Sequence, residues 1–403
     1  MIKGRMKTLA AGVVLLAATL VIGQDIDRQE RFRQMSQRAE SNGLAEPYRG
    51  ITIGGKITPN LFSIRSTGVT TEPARLAATS FLKLLTDEQR GRTEYAIDDP
   101  EWRKWMNQHF YIRQGVSFKE MSESQREAAF ALMRVSLSAK GLKLTRDIMR
   151  LNHTLGELND NNFEEYGEWL YWITVMGEPS ADQPWGWQLD GHHMIINYFV
   201  LGDQVVMSPV FVGSEPVKAA SGKFAGVEIM QDEQNQGLAL LSNLTEMQRN
   251  AAIIADAKDG NNNLSEAFRD NIELDYVGVS AADFSAAQKE LLLDLIRLYV
   301  GNMDDGHAEI RMSEVATHID ETWFAWIGGT DNDSVFYYRI LSPVILIEFD
   351  HQRPANLKHL YPPVPNRQHI HAVMRTPNGN DYGKDLLRQH YSQHPHQELD
   401  VVQ

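Results

Sequence analysis

A mixed α/β (α+β) fold is predicted, made of two related helices-then-sheet halves in a pseudo-twofold arrangement around a central cleft. Two observations predict it. Helical periodicity gives way to strand-like alternation once in each half of the chain, and a set of landmarks recurs in one order in both stretches.

The elements follow in order. Lys3, Arg5 and Lys7 precede an apolar run from Leu9 to Ile22 that ends at Gly23, before the polar Gln24-Asp25-Ile26-Asp27. A basic head, a short apolar core and a small-residue exit describe a secretory signal peptide over residues 1–23, which places the mature chain in the periplasm or outside the cell with no stable membrane anchor. Residues 24–50 are polar and read as a tether, residues 51–225 as the first half, 226–391 as the second, and 392–403 as a polar tail.

In the first half, Glu72 to Arg90 reads as a helix with Pro73 in its first turn and Leu76, Ser80 and Leu84 along one face. A second helix follows Ser122, and a third carries Leu144, Ile148, Leu151, Leu155 and Leu158. The period then changes: Trp169 to Gly177, Trp187 to Val200 and Gln204 to Val212 read as strands.

The recurring landmarks are Thr86 to Arg90 with Thr245 to Arg249, Gly115-Val116-Ser117 with Gly278-Val279-Ser280, and Ser122 to Glu127 with Ser285 to Glu290. Trp169-x-x-Trp172 with Trp323-x-x-Trp326, and finally the strand pairs, complete the series. Aligned on those strands, Trp187 matches Tyr338, His193 matches Val344, and Asn197 matches Glu348.

Composition excludes several classes of function. The absence of cysteine removes thiol nucleophiles, sulfur-bound zinc and lipoprotein anchoring. A net charge of −14 without basic clusters argues against nucleic acid as a partner, because that affinity rests on phosphate neutralisation. A small-molecule substrate is expected instead.

Metal chemistry must then come from His, Asp or Glu. Arg367 to Arg375 alternates like a strand, which puts His369, His371, Val373 and Arg375 on one face. Two imidazoles two residues apart on a strand can share one ion, zinc by preference, with copper or iron as variants. A third ligand is expected from His192 or His193. If both lie in a strand they face opposite ways, and His193 is favoured because Asn197 shares its face.

Glu348 and Asp350 fall together on one side of an otherwise apolar strand and need buried partners. Asp381 lies in a turn after Arg375. Asp259 to Glu266 resembles a calcium loop, but Leu264 is out of register and Ala255 and Ala257 occupy ligand positions, so it reads as a turn. His394 and His396 sit in the polar tail.

The segments Pro184 to Asn197, Tyr338-Arg339-Ile340, Ile347 to Asp350 and His369 to Gly383 together resemble the signature of the domain of unknown function 3500 family of secreted bacterial proteins. The resemblance spans most of the chain after the tether; His351-Gln352-Arg353-Pro354 departs from the family pattern. It supports the site positions and implies no reaction.

The function expected is that of an exported metal-dependent enzyme. His369, His371 and His193 or His192 would hold the ion, Glu348 or Asp381 would be general base, and Arg375 would be the anion partner. Hydrolysis by a metal-activated water is the favoured reaction. The alternatives are a copper or iron oxidoreductase, and a metal-free binding protein for a sugar, peptide or aromatic ligand whose cleft is lined by Trp169, Trp172, Trp185, Trp187, Trp323 and Trp326.

Overall fold

A computed structural model describes residues 28–394. The expected signal peptide, and residues 395–403 of the tail with His396, lie outside the described residues. Among those described, no helix is long and apolar enough to cross a membrane.

The stretch expected to be a tether carries helix α1 at residues 28–43. It is held to the body by polar contacts: Arg28 to Glu165 at 2.8 Å, Ser36 Oγ accepting from Ile112 N at 3.0 Å, and Tyr111 Oη donating to Glu40 at 2.9 Å. Its sparse apolar content hid it, because hydrophobic periodicity reports only apolar docking.

The first half then runs β1 (Thr52–Ile53), α2 (Glu72–Leu84), α3 (Asp87–Gly91), β2 (Glu94–Tyr95), β3 (Val116–Ser117), α4 (Glu123–Ser136), α5 (Ala139–Leu158), β4 (Tyr171–Met176), β5 (Trp185–Gly191), β6 (Met194–Leu201) and β7 (Gln204–Ser214). The second runs α6 (Gln231–Asn243), α7 (Glu246–Ala252), β8 (Ile253–Ala255), β9 (Glu273–Leu274), β10 (Val279–Ser280), α8 (Ala286–Val300), α9 (Asp305–Thr317), β11 (Trp323–Gly328), β12 (Phe336–Leu341), β13 (Leu346–His351), β14 (Ile370–Arg375) and α10 (Lys384–Gln393).

The helix read over Glu72 to Arg90 is two helices, because Thr86 caps α3 with its hydroxyl and Gln89 closes the reciprocal bond. The face read from Leu76 and Leu84 is the exposed one; α2 buries Ala74, Ala78, Phe81 and Leu82. The third helix packs as expected through Leu144, Ile148, Leu151 and Leu155.

Twelve strands form one mixed sheet in the order β10-β11-β12-β13-β14-β7-β6-β5-β4-β2, with β3 on β4 and β8 on β11. The halves join edge to edge where β14 pairs antiparallel with β7. Each half repeats the same pairings: β2 is parallel to β4 and β8 to β11, while β3 and β10 run antiparallel to β4 and β11.

The pairing Trp187↔Tyr198 has its counterpart in Tyr338↔Phe349, the register expected from the strands. The tryptophan motifs are offset, however. Ser117 pairs with Trp172 and Ser280 with Trp323, so it is Trp172 and Trp323, not Trp172 and Trp326, that take the same place in these pairings. Gly115 and Gly278 both hold positive φ, and a Cβ there would lie 2.2 and 2.1 Å from the carbonyl oxygens of Ile173 and Phe324.

β14 alternates as predicted. Ile370, Ala372 and Met374 join the main core, and Val373 joins a second cluster with Phe211, Trp105 and Tyr382 on the opposite face. That second face carries the polar side chains of interest.

Candidate metal centre

Three histidines converge at the junction of the two halves. His193 Nε2 lies 3.2 Å from His371 Nε2, and His369 Nε2 lies 3.0 Å from the same atom. All three side chains are buried, and their nitrogens lie within 4.8 Å of one another.

Strand alternation delivers His369, just before β14, and His371, within it. His193 arrives differently. It sits in the two-residue turn between β5 and β6 with φ 105°, its N–H bonded to Gly191 O at 2.7 Å and its carbonyl accepting from Gly213 N at 2.9 Å. A non-glycine residue at such a φ is strained and is held there by its surroundings.

The expectation that His192 and His193 face opposite ways is therefore corrected. Both lie in a turn, and their rings stack with centroids 4.0 Å apart. His192 Nδ1 bonds Asn152 Oδ1 at 2.8 Å and its Nε2 is turned to Asn356, so it backs His193 without joining the cluster. Asn197, which favoured His193 in the sequence, instead accepts from Gln188 and donates to Pro209 O.

One outer nitrogen fixes a tautomer. His369 Nδ1 lies 2.7 Å from the carbonyl oxygen of Arg353, which can only accept, so Nδ1 carries the proton. His371 Nδ1 lies 2.7 Å from Glu266 Oε1. Burial raises the Glu266 carboxyl, so it can accept from His371 Nδ1 or donate to it, and the Nε2–Nε2 contact is closed by one shared proton or by a cation.

Burial pushes the imidazoles below their usual range, neighbouring imidazoles adding to the shift for His193 and His371. Burial thus disfavours a charged imidazolium anywhere in the cluster. Histidine ligands whose second nitrogen is held by a carbonyl or carboxylate are the usual outer-shell pattern of metal sites.

Glu266 is the residue the sequence reading missed. It ends the loop read as a turn, and residues 257–266 hold neither helix nor strand. What pins the loop is a set of buried charges. Glu348 accepts from Leu264 N and Ser265 N at 2.9 Å each, from Ser265 Oγ, and from Tyr337 Oη at 2.6 Å. Asp350 takes Asn262 N at 2.7 Å and Lys258 Nζ at 2.9 Å. Burial raises the Asp350 carboxyl to about 7 against the pull of Lys258.

These contacts bear on three expected roles. Glu348 has its lone pairs filled by loop donors and is an anchor rather than a general base. Arg375 donates Nε to Ser265 O at 2.7 Å, Nη2 to Glu266 O at 3.0 Å and Nη1 to Asp381 at 2.9 Å. Asp381 also accepts from Ser208 Oγ at 2.6 Å and Thr376 N at 2.8 Å. Both have an exposure of 0% and spend these bonds on each other and on the surrounding loop, which is the work of an anchor.

His351 is likewise structural, bonded to Phe336 and Gln234 and held neutral by burial with its pKa lowered to about 3. The expected tryptophan-lined cleft is corrected too. Trp185, Trp187 and Trp326 are fully buried core, Trp169 packs on Phe118, Trp323 stacks on Tyr276, and Trp172 lines a pocket with His192.

A family model described as protein of unknown function (DUF3500) matches residues 67–384. No curated protein and no solved structure matches the chain.

Proposed function

We propose a metal-dependent function for this chain, which belongs to the protein of unknown function (DUF3500) family. The observation that carries it is the convergence of three buried Nε2 atoms at 3.0 and 3.2 Å, two with their outer nitrogens already held. Nitrogens this close need a shared proton or a cation between them, and three that lie within 4.8 Å of one another suit a single cation.

His193, His369 and His371 would be the ligands. Three imidazoles suit zinc, copper and iron; zinc is favoured, because a three-histidine site with one open position is a known catalytic arrangement for it. Bound there, such an ion supplies Lewis-acid activation of water, so the reaction proposed is hydrolysis of a small exported substrate. Glu266 would orient His371, and the Arg353 carbonyl would orient His369. Export rests on Lys3, Arg5 and Lys7 ahead of the apolar run.

We also read the two halves as copies of one unit, supported by equivalent pairings and by matching contacts. Gln125 Nε2 bonds Leu84 O and Gln89, as Gln288 Nε2 bonds Asn243 O and Gln248. Only the first copy places a histidine in its hairpin turn; Val344 stands at the matching position of the second.

Elemental analysis of the mature protein, purified without chelator or tag metal and beside a His369→Ala, His371→Ala double variant, is the test. Near-stoichiometric metal lost in the variant supports the reading and separates zinc from copper or iron. Absence of metal in both, even after reconstitution, sinks it and leaves the metal-free binding protein ahead.

A further inference from the structure

We infer that the pocket beneath α1, next to the histidine cluster, binds an uncharged, hydroxyl-bearing ring. What happens to that ring rests on the metal reading above; its binding does not. The cavity is about 630 Å³, within the range of small-molecule sites, and its walls include Phe32, His109, Phe110, Tyr111, Trp172 and His192.

Two contacts set it beside the cluster. His192 stacks on the ligand residue His193 at 4.0 Å, and the Tyr111 ring lies 6.1 Å from Phe268, two residues beyond Glu266. The pocket thus touches the supports of His193 and of His371.

Charge selects the class of ligand. The charged groups around the cavity are matched: Arg28 with Glu165 at 2.8 Å, Arg33 with Glu30 at 2.6 Å, Arg113 with Asp190 at 3.0 Å, and Glu164 with Lys119 at 3.0 Å. A charged ligand would have to displace one of these partners. The aromatic walls favour a ring, whose face they can cover.

Of the two imidazoles in the wall, His109 leaves a polar atom over. His109 Nδ1 is buried without a hydrogen-bond partner, and its ring stands 5.7 Å from His192 and edge-on to Phe32 at 6.0 Å. A buried polar group in this state calls for a partner, which a ligand hydroxyl supplies. Phenols and neutral pyranoses share this chemistry.

Calorimetric titration of the full mature chain with phenol, and separately with methyl β-glucopyranoside, tests the inference and tells the two sources apart. Metal content is measured on the same samples. Saturable binding of either probe, weakened about tenfold in His109→Ala and in Phe32→Ala, is expected. The two variants lie on different segments, and melting curves check that each folds.

Saturable binding of neither probe, or unchanged affinity in both folded variants, overturns the inference. Metal-free wild type that binds a ring keeps it and sinks the metal reading; metal-loaded wild type that binds neither does the reverse.

Discussion

His369 and His371 set their Nε2 atoms 3.0 Å apart while an oxygen holds each outer nitrogen. This pair, rather than the general abundance of histidine, ties the fold to chemistry. Its two inner nitrogens can share a proton or, with His193, take a cation.

Metal removal should therefore lower stability. At free zinc between a hundred and a thousand times the dissociation constant, binding contributes about 3–4 kcal/mol to the folded state. Scanning calorimetry with chelator and then with added zinc checks this. An identical melting temperature in both conditions would count against a resident ion.

His192 and His193 should behave differently. His193→Ala is expected to lose the metal, whereas His192→Ala keeps it, because the His192 ring nitrogens are turned to Asn152 and Asn356. Metal content of the two purified variants decides the matter, and loss in both would return His192 to the ligand set.

Glu266 should tune the centre without holding it. Replacing it with Gln weakens the bond to His371 Nδ1, and metal affinity is expected to fall about 10- to 100-fold with the fold intact. A competition titration with a chromophoric chelator reads this. Unchanged affinity would assign Glu266 to loop structure alone.

Arg375 should register as a stability residue. Arg375→Ala strands the fully buried Asp381 and frees the carbonyls of Ser265 and Glu266, and breaking such a pair costs about 3–5 kcal/mol. Chemical denaturation measures the loss. A variant as stable as wild type would revive the anion-partner role.

What the sequence made legible is what local periodicity controls. The alternation of β14 places His371, Val373 and Arg375 on one face whatever they touch, and the capping boxes mark helix starts whatever follows. Contacts between remote segments are another matter. His371 meets Glu266 across 105 residues, and that loop reads as a turn because its purpose is written in Glu348, Asp350 and Arg375 instead. Glu348 and Asp350 are visible in the sequence as residues needing partners. Catalysis and loop anchoring are both ways to satisfy that need, and only coordinates separate them. The His192-His193 pair misled for a different reason: strand logic was applied to two residues that form the turn.

Glu101 gives a pH dependence with a definite sign. Burial raises its carboxyl to about 7, against 4.5 for the free group, with Lys104 3.4 Å away opposing the shift; its Oε2 atom is buried without a hydrogen-bond partner. A folded-state pKa above the unfolded one means that the native chain binds the extra proton between these limits. Its contribution to stability is then complete below about pH 4.5 and is lost as pH rises through 7. Glu101→Gln removes the ionisation while keeping the shape. The variant should therefore gain on the order of 1–3 kcal/mol over wild type at pH 8 and little at pH 5. Denaturant unfolding at the two pH values measures the difference, and an equal gain at both would show that ionisation of Glu101 is not what the folded chain resists.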